Sequence, residues 1–185
     1  MIRFYRSNFL FKNHKFLSFI CIASFLTSVL SAQDSDYIQD VKAVFIYNFT
    51  KYIHWAESSE SSTFNIAIIG EDQIIDPLRQ IAEKRQVNQK NIRILSIENP
   101  EDIENCQIIF IPESQQTHLN EIITRTENKN TLIVSEIRDS LSSGVMINFL
   151  ISQETIKFEI NLQAMKKARL EPGSELLKLA VRIIE

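Results

Sequence analysis

The chain has 185 residues, 44% of them hydrophobic, with 20 Lys and Arg against 23 Asp and Glu. That length suits one domain with a substantial apolar core. The acidic balance excludes a nucleic-acid partner or an anionic membrane surface, because both call for surplus positive charge.

Residues 1–32 do not read as part of a fold. "MIRFYRSNFLFKNHK" carries Arg3, Arg6, Lys12 and Lys15 and no acid, and "FLSFICIASFLTSVL" (16–30) is an uncharged run ending at Ser31 and Ala32. A basic flank, a short apolar stretch and small residues are the marks of a secretory signal peptide. The run is shorter than the ~20 residues of a spanning helix. Cleavage falls after Ala32 or, alternatively, after Ser31. Removing the leader takes four basic residues and leaves 16 Lys and Arg against 23 acids, a net charge near −7. Cys21 leaves with it, so Cys106 is alone and no intrachain disulfide can form. A lone Cys ahead of an apolar strand reads as a small buried hydrophobe.

The first expected element is a helix of about five turns over "SDYIQDVKAVFIYNFTKYIHW" (35–55), with Val41, Val44, Phe45, Phe49, Tyr52 and Ile53 at helical spacing. Asn48 falls within that stripe, where it either bonds a neighbouring loop's backbone or touches a ligand. A polar loop (57–62) precedes a buried strand, "FNIAIIG" (64–70). A helix over 72–85 follows, with Pro77 tolerated in its first turn. "NIRILSIE" (91–98), "QIIFIPE" (107–113) and "TLIVSE" (131–136) read as strands, and 114–127 as a helix capped by Ser114. "VMINFLIS" and "TIKFEI" make a hairpin joined by Gln153-Glu154. Asn161 stands where that hairpin gives way to "LQAMKKA", and Ser174 precedes "ELLKLAVRII"; both are placed to cap helices. The last helix is expected to turn Leu176, Leu177, Ala180, Ile183 and Ile184 inward, and Lys178 and Arg182 outward.

Uninterrupted apolar strands alternating with helices predict a three-layer α/β sandwich. Its sheet would be mostly parallel, of about six strands with an antiparallel edge hairpin, and covered by helices on both faces. Ligands in such sheets favour the carboxyl ends of the strands, here "GEDQ", "PESQ" and "SEIR". The chemistry legible there is sparse. Three glycines in the whole chain do not make a phosphate loop. His54 and His118 lack partners at metal-ligand spacing. No Gly-x-Ser-x-Gly elbow occurs. Glu71, Asp72, Glu113 and Glu136 would serve a cation only if the fold gathered them, and acids at loop starts ordinarily cap helices. These observations predict a protein that is not an enzyme and carries no cofactor or metal.

The set "VKAVFIYNFTKYIHW", "FNIAIIG", "GVMINFLISQETIKFEIN" and "GSELLKLA" resembles the YfiR family of small secreted bacterial proteins, in the same order and over residues 40–182. The resemblance implies a periplasmic repressor. Its partner would be a membrane-anchored sensor protein, a diguanylate cyclase or a sensor kinase, bound through its periplasmic domain. Binding would lower cyclic di-GMP and biofilm formation. The chain departs from the family where Ala56 follows Trp55 in place of a common Pro, and where Ser143 precedes Gly144 in place of a second Gly. The disulfides of some members have no counterpart here.

Two candidate surfaces follow. Leu162, Met165 and Leu170, in a stretch rich in Lys and Arg beside the edge hairpin, form with Glu159 a candidate partner surface. The competing reading packs the same residues on the sheet. A small-ligand-binding sensor module is the alternative function, with a candidate pocket near Asn48, Trp55 and Asn148. The exposed edge hairpin permits a homodimer.

Overall fold

A computed structural model describes residues 36–55, 62–152 and 155–185. The expected leader over 1–32, most of the 57–62 loop and the Gln153-Glu154 turn lie outside the described residues. Helix α1 runs over 36–52 and passes directly into strand β1, Ile53–Trp55. The next elements are β2 (Thr63–Ile69), α2 (Ile75–Lys84), β3 (Gln86–Val87) and β4 (Lys90–Ile97). They are followed by β5 (Ile108–Ile111), α3 (Leu119–Thr126), β6 (Leu132–Ser135), β7 (Ile147–Ser152) and β8 (Thr155–Asn161). The chain closes with α4 (Leu162–Lys167), β9 (Leu170–Pro172), α5 (Ser174–Leu179) and β10 (Arg182–Ile184).

The fold is α/β, as expected, but the sheet is larger and more mixed than expected. It has eight strands in the order β10-β8-β7-β6-β5-β2-β4-β3, and β1 pairs with β9 in a separate two-stranded ribbon. The five strands β7-β6-β5-β2-β4 are parallel to one another, while β8 and β3 run against their neighbours β7 and β4. Two short strands account for the excess. β3 is turned back onto β4 by Asn88 and Gln89, both at positive φ (49° and 65°), a conformation Asn adopts more readily than most residues. β10 pairs parallel to β8, so the β7–β8 hairpin is not the edge of the sheet.

β10 is also where the expected final helix fails. α5 stops at Leu179, Ala180 is already extended, and Arg182 to Ile184 pair with Glu159 to Asn161. Val181, Ile183 and Ile184 are β-branched, which weakens a helix and suits a strand. Ile183 consequently lies exposed rather than inward. Ser174 is not the cap of α5: Gly173 occupies that position and no side chain caps the helix. Ser114 likewise caps nothing. Glu113–His118 is a 3₁₀ segment entered from Pro112, and α3 begins only at Leu119. Asn161 does cap α4, accepting from Ala164 N at 2.9 Å, and its amide nitrogen donates to the Leu141 carbonyl at 2.9 Å.

α1 turns inward only part of the stripe its apolar spacing suggested: Phe49 and, at the start of β1, Ile53 are buried and Phe45 packs against the core, whereas Val44 and Tyr52 are exposed at 49% and 41%. Lys42, Ala43, Ile46 and Thr50 complete the buried side. Phe45 and Phe49 meet Phe149 and Phe158 with ring centroids 5.6–6.0 Å apart, two of the pairs edge to face. Each such pair adds about 0.5–1.5 kcal/mol beyond its area. Phe149 and Phe158 are cross-strand partners, so this cluster fixes α1 over β7 and β8.

β2 is flanked by β4 on one side and β5 on the other, so strand order reverses between β2 and β5. That is the point at which open α/β sheets ordinarily hold ligands. Gly70, at φ +71°, sits there so close to Gln115 that a Cβ would come within 2.4 Å of Gln115 Nε2, so the Gln115 amide packs directly on this turn.

Candidate functional site

A concavity at the carboxyl ends of the strands lies one step along from the switch point, at β6. Ser135 is the last residue of β6 and pairs with Asn148, while β7 continues to Ser152. The step leaves a cleft of about 590 Å³, walled by Gln39 and Lys42 of α1, by Glu136 and Arg138 after β6, and by the Glu159–Arg182 pair of β8 and β10.

Most of its charge is committed internally. Lys42 is 2% exposed, donates to Glu136 Oε2 at 2.8 Å, and places its ammonium 5.3 Å from the centre of the Phe110 ring. A buried ammonium is tolerable only when paired in this way. Glu159, also buried, receives a hydrogen bond from Arg182 Nε, whose guanidinium is half exposed at the rim. The Glu159 hydrogen bond and negative charge hold the Arg182 pKa above its ordinary value. Asn148 is 1% exposed. Its satisfied orientation points the amide nitrogen at the Ser135 and Ile137 carbonyls, at 3.1 and 3.2 Å, and at Ser140 Oγ, at 2.9 Å. Asn148 therefore ties the 137–140 loop to β7. One polar atom is left over: Gln39 Oε1 is buried and accepts no hydrogen bond. Arg138 and Asp139 stand exposed at the mouth, so both signs of charge face solvent there.

The residues singled out from sequence do not assemble as expected. Met165 and Leu170 are 0% and 2% exposed and belong to the core, Leu162 is half buried, and Glu159 faces the cleft. The four do not form one exposed patch, because α4 and β9 turn their apolar side chains under the sheet's end. Asn48, Trp55 and Asn148 are likewise dispersed. Asn48 lines a groove between α1 and α2 and accepts from Lys51 Nζ at 3.3 Å. Trp55 packs edge-on against Phe64, with its Nε1 buried and without a hydrogen-bond partner. Only Asn148 borders the cleft.

The four acids considered for a cation serve separate purposes. Asp72 caps the turn at Ile74 N, Glu71 lies near Ser96 Oγ, Glu136 pairs with Lys42, and Glu113 is exposed. Among the described residues no group of three or more His, Cys, Asp or Glu converges. Cys106 precedes β5, at the opposite end of the strand from the cleft, and burial pushes its thiol up to about 11. Lys42 and Arg182 went unrecognised as site residues in the sequence, and Glu136 was singled out for a cation where it pairs with Lys42. Lys42 did leave a signal: it is the one cation on the i, i+4, i+7 line of Ile46 and Phe49. Arg182 left none, because its place on a helix was itself mistaken.

What the geometry defines is a small α/β domain whose cleft at the strand ends is lined by two internal ion pairs, Lys42–Glu136 and Glu159–Arg182. The chain belongs to the YfiR/HmsC-like family, whose model matches residues 39–181, from α1 to the threshold of β10. That family is a regulatory one. No curated protein matches the chain significantly.

Proposed function

We propose that this protein is a periplasmic regulator in cyclic di-GMP signalling. In this reading it is delivered by the leader over 1–32 as a single domain over 33–185. It binds the periplasmic sensor domain of an inner-membrane signalling protein, a diguanylate cyclase, and holds it inactive, lowering cyclic di-GMP and biofilm formation. The observation that carries the reading is the family match over 39–181, which takes in nearly every described element. No helix among the described residues is long and apolar enough to cross a membrane. One further fact supports the reading. The mouth of the cleft offers Arg138, Asp139 and the rim guanidinium of Arg182 to a partner. Charges of both signs at a rim steer and orient an encounter more than they strengthen it.

The test is capture from solubilised membranes of the source cell, with the wild type and an Arg138→Glu/Asp139→Arg variant as baits. The wild type is expected to retain a membrane protein with a periplasmic domain, and its deletion to raise cellular cyclic di-GMP. Unchanged cyclic di-GMP on deletion, with no membrane protein retained, defeats the proposal. Equal capture by the charge-swapped bait moves the contact away from the cleft.

One observation favours a second reading, a ligand-binding sensor module. The unsatisfied Gln39 carbonyl in a cleft of about 590 Å³ is suited to a small molecule that donates a hydrogen bond. A thermal-shift screen with amino acids, nucleotides and peptidoglycan fragments checks it, because a ligand of the folded state raises the melting temperature. Gln39→Leu should abolish any such shift.

A further inference from the structure

β7 is longer than the strand beside it. β6 ends at Ser135, opposite Asn148, and from Phe149 to Ser152 β7 is flanked by β8 alone. On its other side the sheet lacks a strand over roughly 13 Å of edge. Sheet edges are ordinarily blunted by charged residues, Pro or bulges. This one reads Phe149-Leu150-Ile151-Ser152, and Leu150 and Ile151 are 39% and 43% exposed.

The ladder fixes which backbone groups face the gap. Antiparallel strands exchange hydrogen bonds at every second pair. Asn161 N donates to the Met146 carbonyl at 2.8 Å, which puts Asn148–Glu159 and Leu150–Lys157 among the bonded pairs. Phe149 and Ile151 therefore turn their N–H and C=O groups away from β8. Past the last pairing with β6, the Phe149 carbonyl and both groups of Ile151 meet no strand, and no turn or loop among the described residues bonds to them. The cleft of about 590 Å³ is this gap, and it is lined from both sides of the sheet. Phe149 lies on the α1 side, with Ile38 and Gln39. Asn148 lies on the opposite side, with its cross-strand neighbour Glu159 and with Arg182.

We infer that the cleft takes an extended segment of another protein, which adds to the free edge of β7 in line with β6. Backbone groups in the plane of a sheet are matched by the backbone of an extended chain. A second copy cannot supply the same edge, because that edge is equally recessed between α1 and residues 138–139. Successive residues of the segment face opposite ways, apolar ones toward Phe149 and Ile38, polar ones toward Arg138, Asp139 and Arg182. A donor on the incoming chain satisfies Gln39 Oε1, buried and without one. The inference rests on the proposed reading for its donor: the segment belongs to the periplasmic domain of the membrane protein that is bound.

The test uses wild type, Ile151→Pro and Ile151→Val as baits for capture from solubilised membranes. Proline removes the one N–H turned to the gap and leaves the bonds to β8, a place where strands tolerate it; valine keeps both. Wild type and Ile151→Val are expected to retain the same membrane protein, and Ile151→Pro about tenfold less of it. Short synthetic peptides tiling the periplasmic domain of the retained protein then locate the segment. One of them should bind the wild type, and should lose binding when alternate backbone amides of one parity are methylated but not those of the other. Retention indifferent to proline overturns the inference and leaves the regulator reading intact. A wild type that retains nothing defeats that reading and the strand donor with it. A peptide indifferent to which amides are methylated is not paired as a strand, which overturns the inference without any variant of the protein. Self-association weakened by Ile151→Pro, with membrane retention unchanged, assigns the edge to a second copy and equally defeats it.

Discussion

At the level of single residues, the cleft is defined by what its ions do to each other. Lys42 is enclosed by the core, and its ammonium is matched by Glu136 at 2.8 Å and by the face of Phe110. Removing one member of such a pair leaves the other charge in a poor solvent, a loss of about 3–5 kcal/mol, whereas removing both together is often nearly neutral. Glu136 retains some exposure, 13% of its side chain, which places Lys42→Met near the low end of that range. Lys42→Met/Glu136→Gln should regain most of the loss in urea melts. A single variant as stable as the wild type would mean that the pair opens to water and does not anchor α1. The Glu159–Arg182 pair follows the same logic: Arg182→Ala strands Glu159, whose side chain is only 6% exposed. Arg182→Ala is accordingly expected to lower stability at least as much as Lys42→Met does.

Asn161 shows how one side chain joins two elements. It caps α4 through Ala164 N and reaches back to the Leu141 carbonyl, so α4 and the 3₁₀ turn Ser140–Ser143 are set by the same amide. Asn161→Ser should keep the cap and lose the reach, costing about 1 kcal/mol; Asn161→Ala should lose both, costing about 2–3 kcal/mol. Equal losses by chemical denaturation would show that the cap contributes nothing. This cap was legible because a strand pattern broke at an Asn into helical spacing. The parallel strands were legible too, since β2, β5 and β6 are short, mostly apolar runs. β1, β3, β9 and β10 were not. At two or three residues each they carry no periodicity, and β10 is a strand only because β8 offers it an edge. The α1 stripe misled for a related reason. Val41, Val44 and Tyr52 satisfy the same helical spacing as the true core line, and nothing local says which side the sheet will cover. The site suffered most, because Lys42, Glu136 and Arg182 come from three distant segments that only the strand order brings together.

At the scale of the whole molecule, the described residues hold one cysteine, free and buried, and a response to pH follows from it. Cys106 is a free, buried thiol, donating to the Glu104 carbonyl at 3.3 Å, and its pKa stands near 11 against 9.0 for an ordinary thiol. Burial disfavours the thiolate, so between those two values the unfolded chain has released a proton that the folded chain still holds. Unfolding then gains from rising pH. The stabilising contribution is complete below about pH 9 and drains away toward pH 11, by about 2–3 kcal/mol in all. Cys106→Ala lowers stability at neutral pH through the small void it leaves, yet it removes this one titration. Stability curves of the two proteins should therefore run parallel below pH 9 and converge above it, the comparison cancelling the tyrosines and lysines common to both. Curves that stay parallel to pH 11 would show that the thiol ionises in place. The same burial predicts that alkylating reagents spare Cys106 at neutral pH until the chain unfolds, and that reductant leaves the melting temperature unchanged.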